Sequence, residues 1–138
     1  MLESSLWIAL GGAIGSVMRF WLAELVGRFV ESPFPWATVI TNITGSFVIG
    51  FYATLTGPEG RLLATPVARQ FVMVGICGGY TTFSAFSLET LHRLQAGLWS
   101  AAALDVALST LSWLFAAWLG FALAARLDPA RRHPPPGQ

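Results

Sequence analysis

Residues 78–87 read GGYTTFSAFS, and the order of residue types in that stretch decides the fold. Its flanks, RQFVMVGIC at 69–77 and LETLHRL at 88–94, look like one apolar helix interrupted by two glycines, two threonines and two phenylalanines three apart. Adjacent Gly78 and Gly79, with Thr81 and Thr82 behind them, disfavour helix continuation, and each unwound residue leaves a carbonyl or amide without an intrahelical partner. In lipid such backbone is tolerated only where it is buried in protein or lines a cavity. Freed carbonyls are hard oxygen ligands for a cation such as sodium, whereas the amides and positive end of the following half-helix favour an anion. A break at 78–82 therefore suits ions. A packing kink at Gly-Gly with no ligand is the plain alternative.

The rest of the chain makes lipid the medium. Of 138 residues, 54% are hydrophobic and only 11% charged, against roughly 25% charged in soluble domains. The stretches Ser32 to Pro58 and Asp105 to Arg126 each leave about 20 or more residues between charges, enough to cross a bilayer as a helix. Two further spans, Leu6 to Phe29 and Pro66 to Gln95, carry charges within them or near their ends. The fold class is all-α integral membrane, with four transmembrane helices and the third broken. Residues 1–128 form the transmembrane domain, and residues 129–138, PARRHPPPGQ, form a short proline-rich tail expected to be disordered. The first apolar segment lacks a basic leader and is too long for a removable signal. Cys77, the one cysteine, cannot close an intrachain disulfide and reads as a small core residue. A net charge of +1 gives no footprint for nucleic acid.

Punctuation agrees with four spans. Ser32 is placed to cap the second with prolines in its first turn; Thr65-Pro66 opens the third, Gly97 closes it after His92 and Arg93, and Ser100 can cap the fourth. Trp7, Trp36 and Trp99 fall near span ends, as an aromatic belt requires. With the N-terminus inside, Arg61, Arg69, Arg126, Arg131 and Arg132 stand against Arg28 and Arg93. That bias leans on the short tail, so the chain has little preference for one orientation.

Each span also carries small or polar residues at helical spacing. Gly11 and Gly15 form a small-x-x-x-small pattern that lets backbones approach. Arg19 lies so deep that it must either snorkel or face water. The amide of Asn42, near the middle of the second span, must be satisfied by another helix or line a wet path. Asp105, Ser109, Ser112 and Ala116 align in the fourth, although helix hydroxyls often bond back to their own carbonyls. Phe83 and Phe86 share a face. Packing is the common reading of such a pair; presented edge-on, the positive rims of the rings attract an anion without a fixed charge, so that it is bound yet easily released.

Taken together, GGYTTFSAFSLE, with GGAIGSVMRF in the first span and TNITGSFVIGF in the second, resembles the small bacterial fluoride channels, the Fluc or CrcB family, over nearly the whole chain. The resemblance implies a fluoride-selective channel of the bacterial plasma membrane that sheds toxic fluoride passively. It implies an antiparallel dual-topology homodimer with two pores, which agrees with the weak arginine bias. By position, Phe83 and Phe86 match the phenylalanines lining the fluoride path, Asn42 the pore asparagine, and Ser84 the hydroxyl beside the first ring. Gly78 and Thr81 match the residues whose carbonyls hold a structural sodium ion at the dimer interface. Arg19 matches a vestibule arginine and Glu89 the acidic residue after the signature. Ser109 and Ser112 are expected to continue the polar track, whereas Asp105 has no assigned role. Ala85, Ser16 and Ala37 depart from the family's usual threonine, alanine and glycine, and Ala85 thins the polar lining.

Two other classes compete. A small dual-topology multidrug transporter also packs four helices, but it needs a carboxylate deep in its first helix, and only Glu24 stands there, toward one end. A non-transporting scaffold would use the glycine faces to dimerise and pass no ions. Neither histidine, His92 at a span end or His133 in the tail, has a nucleophile placed with it, so an enzyme is not expected.

Overall fold

The computed structural model describes residues 2–32, 34–58, 60 and 62–127, and every regular element among them is helical. Helix α1 is Leu2–Phe29 and α2 is Trp36–Leu55. Helix α3 covers residues 66–80, changing character as it goes: α-helical over Pro66–Gln70, π-helical over Phe71–Cys77, α-helical again over Gly78–Tyr80. Helix α4 is Phe83–Gln95 and α5 is Trp99–Leu127. Counting α3 and α4 as one interrupted span, four segments are long and apolar enough to cross a membrane. The expected tail at 129–138, and Arg61, Arg131, Arg132 and His133, lie outside the described residues.

The caps follow the sequence in part. Thr65 accepts a hydrogen bond from the Ala68 N–H at 3.2 Å and Pro66 opens α3, while Gly97 takes φ +75° in the turn that ends α4. Ser32 does not cap α2. Its hydroxyl accepts from the Phe34 N–H at 3.1 Å, and the helix starts four residues later at Trp36, behind Pro35. Ser100 likewise lies inside α5, which begins at Trp99. In both cases the first turn is set by neighbouring backbone rather than by a hydroxyl. Arg69 donates to the Thr56 carbonyl at 2.6 Å, placing a cation at the C-terminal end of α2.

Packing divides into two tight pairs, α1 on α3 and α2 on α5. Backbone contact makes the first. A Cβ on Gly11 would lie 2.6 Å from the Phe71 carbonyl oxygen, and one on Gly15 would strike the Ile76 carbonyl and come within 2.7 Å of the Tyr80 nitrogen. The glycines of α1 thus lie against Gly75 and Gly79 of α3, the close approach that the small-x-x-x-small pattern predicts. Gly15→Val is expected to lower the stability of the detergent-solubilised protein by about 3 kcal/mol, the scale of overpacking against atoms that cannot yield. Gly27→Ala, where nothing lies within 4 Å, should leave the melting temperature unchanged or slightly raised.

The glycine pair is not where the third span breaks. Gly78 keeps helical angles, φ −66° and ψ −36°, and helix continues through Tyr80. The chain turns extended at Thr81 (φ −75°, ψ 158°) and Thr82 (φ −149°, ψ 115°). β-Branched residues favour that region of backbone space, and Gly79 is needed instead for its contact with Gly12.

Candidate functional site

At the break, two consecutive residues leave helical geometry inside a membrane span, and their backbone groups need partners. Asn42 supplies them. Its Nδ2 donates to the Thr82 carbonyl at 2.9 Å and its Oδ1 accepts from the Thr82 N–H at 2.8 Å. The side-chain amide thereby acts as a one-residue strand against Thr82, and Asn42 is buried to 5% exposure. Thr82 also caps α4, its hydroxyl accepting from the Ala85 N–H at 3.2 Å. Both expectations for Asn42 remain in play: it joins two helices, and it is among the residues lining a cavity of about 320 Å³.

These bonds free two carbonyls. In a continuous helix the N–H of Thr82 would go to Gly78 and that of Ala85 to Thr81. Both donors are engaged elsewhere, so the Gly78 and Thr81 oxygens lose their ordinary helical partners. Two hard oxygens without helical donors, Gly78 on the last helical turn and Thr81 on the unwound segment, are suitable donors for an alkali cation.

Phe83 and Phe86 open α4 with ring centroids 5.6 Å apart. They share a contact but not an environment. Phe86 is buried and meets Trp113 edge to face at 5.0 Å, whereas Phe83 is 72% exposed. Phe83 borders the same cavity as Asn42, Ser46, Thr81, Thr82 and Trp113. Arg19 lines a second hollow whose walls are mixed, with Ser16, Thr38, Thr41 and Thr82 beside Phe20 and three alanines. Ser84 is exposed, 3.2 Å from the Thr82 hydroxyl.

A family model described as "CrcB-like protein, Camphor Resistance (CrcB)" matches residues 6–121. The chain belongs to the CrcB family. Among its curated relatives is "Fluoride-specific ion channel FluC 1" of Rhodopseudomonas palustris, 52% identical over 121 residues, 88% of this chain and 86% of that one. Another is "Fluoride-specific ion channel FluC" of Opitutus terrae, 52% identical over 123 residues, 89% and 93% of the two chains. A third, of the same description, from Rhodospirillum rubrum, is 53% identical over 117 residues, 83% and 89%. With four spanning helices and these relatives, this CrcB-family chain is a multi-pass bacterial membrane protein.

The CrcB-family chain also holds a polar network that spacing alone did not reveal. The Thr38 hydroxyl donates to Glu89 Oε1 at 2.8 Å. Arg93 Nη1 donates to the Glu89 carbonyl at 3.1 Å and to Asp105 Oδ2 at 3.3 Å. Asp105, fully buried, accepts from the Ser109 hydroxyl at 3.1 Å. Ser112 donates to the Ser109 carbonyl at 2.9 Å, so both serine hydrogens are held within α5. Arg93 and Asp105 are twelve residues apart, but the turn at Gly97 folds α4 back along α5 and makes them neighbours; the turn signal together with the opposite charges was the clue.

Proposed function

We propose that this CrcB-family protein is a fluoride-selective channel and not an enzyme, letting fluoride leave the cell down its electrochemical gradient. The observation that carries this reading is the identity of about half the residues with relatives named as fluoride-specific channels, over a stretch that includes the helix break. The geometry supports it. The phenylalanine pair stands at the first turn of the helix that begins at the break, and Phe83 and Asn42 line one cavity.

Fluoride is the halide most dependent on hydrogen-bond donors, and aromatic rims add attraction without a trapping charge. The path runs past Asn42, Phe83, Ser84 and Phe86 and along Ser109 and Ser112, with Arg19 gathering anions at the vestibule. For Ser109 or Ser112 to serve the ion, its hydrogen must swing away from Asp105 Oδ1 or from the Ser109 carbonyl. The working unit is an antiparallel dual-topology homodimer with two pores, for which the weak arginine bias is a natural correlate. A sodium ion at the dimer centre takes the Gly78 and Thr81 carbonyls of each protomer as ligands, a role that suits oxygens whose helical donors are engaged elsewhere. The two unwound segments are thereby tied together.

Liposomes carrying the purified protein are expected to release fluoride and retain chloride, followed with ion-selective electrodes. Phe83→Ile and Phe86→Ile should each cut the fluoride rate sharply while leaving the protein folded. Equal release of both halides would remove the selectivity claim. Preparation without sodium should weaken the dimer on size exclusion, whereas a brief change of external sodium should leave flux unaltered.

A further inference from the structure

Helices α4 and α5 form an antiparallel hairpin, and two contacts fix their register: Phe86 on Trp113 and Arg93 on Asp105. Between them Glu89 and Thr90 on α4 come level with Ser109 on α5. Three buried polar atoms belong to this stretch and have no hydrogen-bond partner among the described residues: Thr90 Oγ1, Trp113 Nε1 and Glu89 Oε2. Buried polar atoms are seldom left so, and each calls for a partner such as a water or an ion.

Thr90 differs from several other hydroxyls of the spans. Thr44, Thr54, Thr56, Thr81 and Ser87 each return their hydrogen to the carbonyl four residues back, at 2.7 to 2.9 Å. Thr90, equally able to do so, does not. Its hydrogen is available to the seam. Trp113 has an indole N–H that donates and cannot accept, and its ring reaches both Phe86 and the cavity lined by Asn42 and Phe83.

We infer that the Thr90 hydroxyl and the Trp113 indole N–H are hydrogen-bond donors to the permeating halide in the α4–α5 seam, taking it over from the phenylalanine pair. The inference rests on the fluoride-channel reading above. An uncharged, buried pair of donors selects for a small, strongly accepting anion and against a large, weakly accepting one, since a dry site repays desolvation only through short hydrogen bonds. The Glu89 carboxylate oxygen repels a halide, which confines the site to the Phe86 side of the seam. Arg93 counters that negative end, paired with Asp105 and the Glu89 carbonyl.

The test compares Thr90→Val, which keeps the shape and removes the hydroxyl, with Thr90→Ser, which restores it, and Trp113→Phe, which keeps an aromatic ring and removes the N–H. Trp118→Phe, at a 58% exposed position, is the control. In liposomes Thr90→Val and Trp113→Phe should each release fluoride about tenfold more slowly, the worth of one hydrogen bond to an ion. Thr90→Ser should recover most of the rate and Trp118→Phe should match the wild type. In 15N spectra the indole resonance missing from Trp113→Phe should move on titration with sodium fluoride and stay fixed with sodium chloride. Wild-type protein that releases no fluoride overturns the channel reading, and this inference with it, before any variant is made. A conducting wild type whose Thr90→Val rate is unchanged, or whose Trp113 indole signal ignores fluoride, overturns this inference alone. Should Trp113→Phe fail to fold, the Thr90 pair decides.

Discussion

Asn42→Ala is expected to silence the protein, with fluoride release from liposomes falling about 100-fold or more. The reason lies in backbone chemistry more than in contact with the ion. Asn42 satisfies both the N–H and the carbonyl of Thr82, and alanine would strand both in a span where water cannot replace them. Each buried group left unsatisfied costs about 1–3 kcal/mol, so about 2–6 kcal/mol falls on the segment proposed to display the ion-facing groups. The cheapest escape is for Thr82 to return to helical geometry and offer its N–H to Gly78. That would withdraw the carbonyl proposed for sodium and rotate Phe83 and Phe86 relative to α2. Asn42→Asp separates the two roles, because a carboxylate still accepts from the Thr82 N–H but cannot donate to its carbonyl. It should fold better than the alanine variant and conduct no better, its negative charge opposing a halide. Alanine at 42 with wild-type flux and an unchanged melting temperature would show that the break stands without this clamp.

The sequence carried the broad architecture because the physics behind it is local. Spans are legible from the spacing of charges, the α3 start from Thr65-Pro66, and a close helix approach, though not its partner α3, from Gly11 and Gly15. A break in the third span within residues 78–82 was also legible, but which of those residues would unwind was not. Glycine propensity points to Gly78 and Gly79, whereas the structure keeps both helical and unwinds at Thr81 and Thr82. Propensity describes an isolated helix, and here tertiary contact decides: α1 holds Gly79 in place while Asn42 offers Thr82 a better partner than helix does. The π-helical stretch Phe71–Cys77 likewise left no periodic trace, since its one-residue excess per turn is absorbed within seven residues. Ser32 and Ser100 were misread as caps because a cap motif is short and the true first turn is set by neighbours on the chain. The Thr38–Glu89 contact was out of reach, and the Arg93–Asp105 contact was hinted at only by the Gly97 turn and the opposite charges, for a different reason. They depend on which faces two helices present to each other, a property of register that no single helix encodes.

Asp105→Ala should be the most damaging substitution for folding, lowering stability by about 3–5 kcal/mol. Asp105 is fully buried and the Arg93 side chain is 13% exposed, so removing the carboxylate takes the anionic partner from a largely desolvated cation, which keeps its bond to the Glu89 carbonyl. It also strands the Ser109 hydroxyl that donates to Asp105. A pair on the surface would give about 1 kcal/mol or less, so thermal unfolding in detergent distinguishes the two cases by size alone. Arg93→Leu should do less harm, because Ser109 still hydrogen-bonds the remaining carboxylate. The double variant Arg93→Leu with Asp105→Leu tests the electrostatic origin most directly. If the loss comes from an uncompensated charge, removing both partners should recover most of it, since apolar replacements of a buried pair are often neutral. If Asp105 instead acts through its shape, the double variant will be no better than Asp105→Ala. Recovered stability with altered flux would then assign the pair to the ion path: freed from Asp105, the Ser109 hydroxyl can turn its hydrogen toward a passing anion. A carboxylate that steadies the fold would thus also be the group that withholds a donor from the pore.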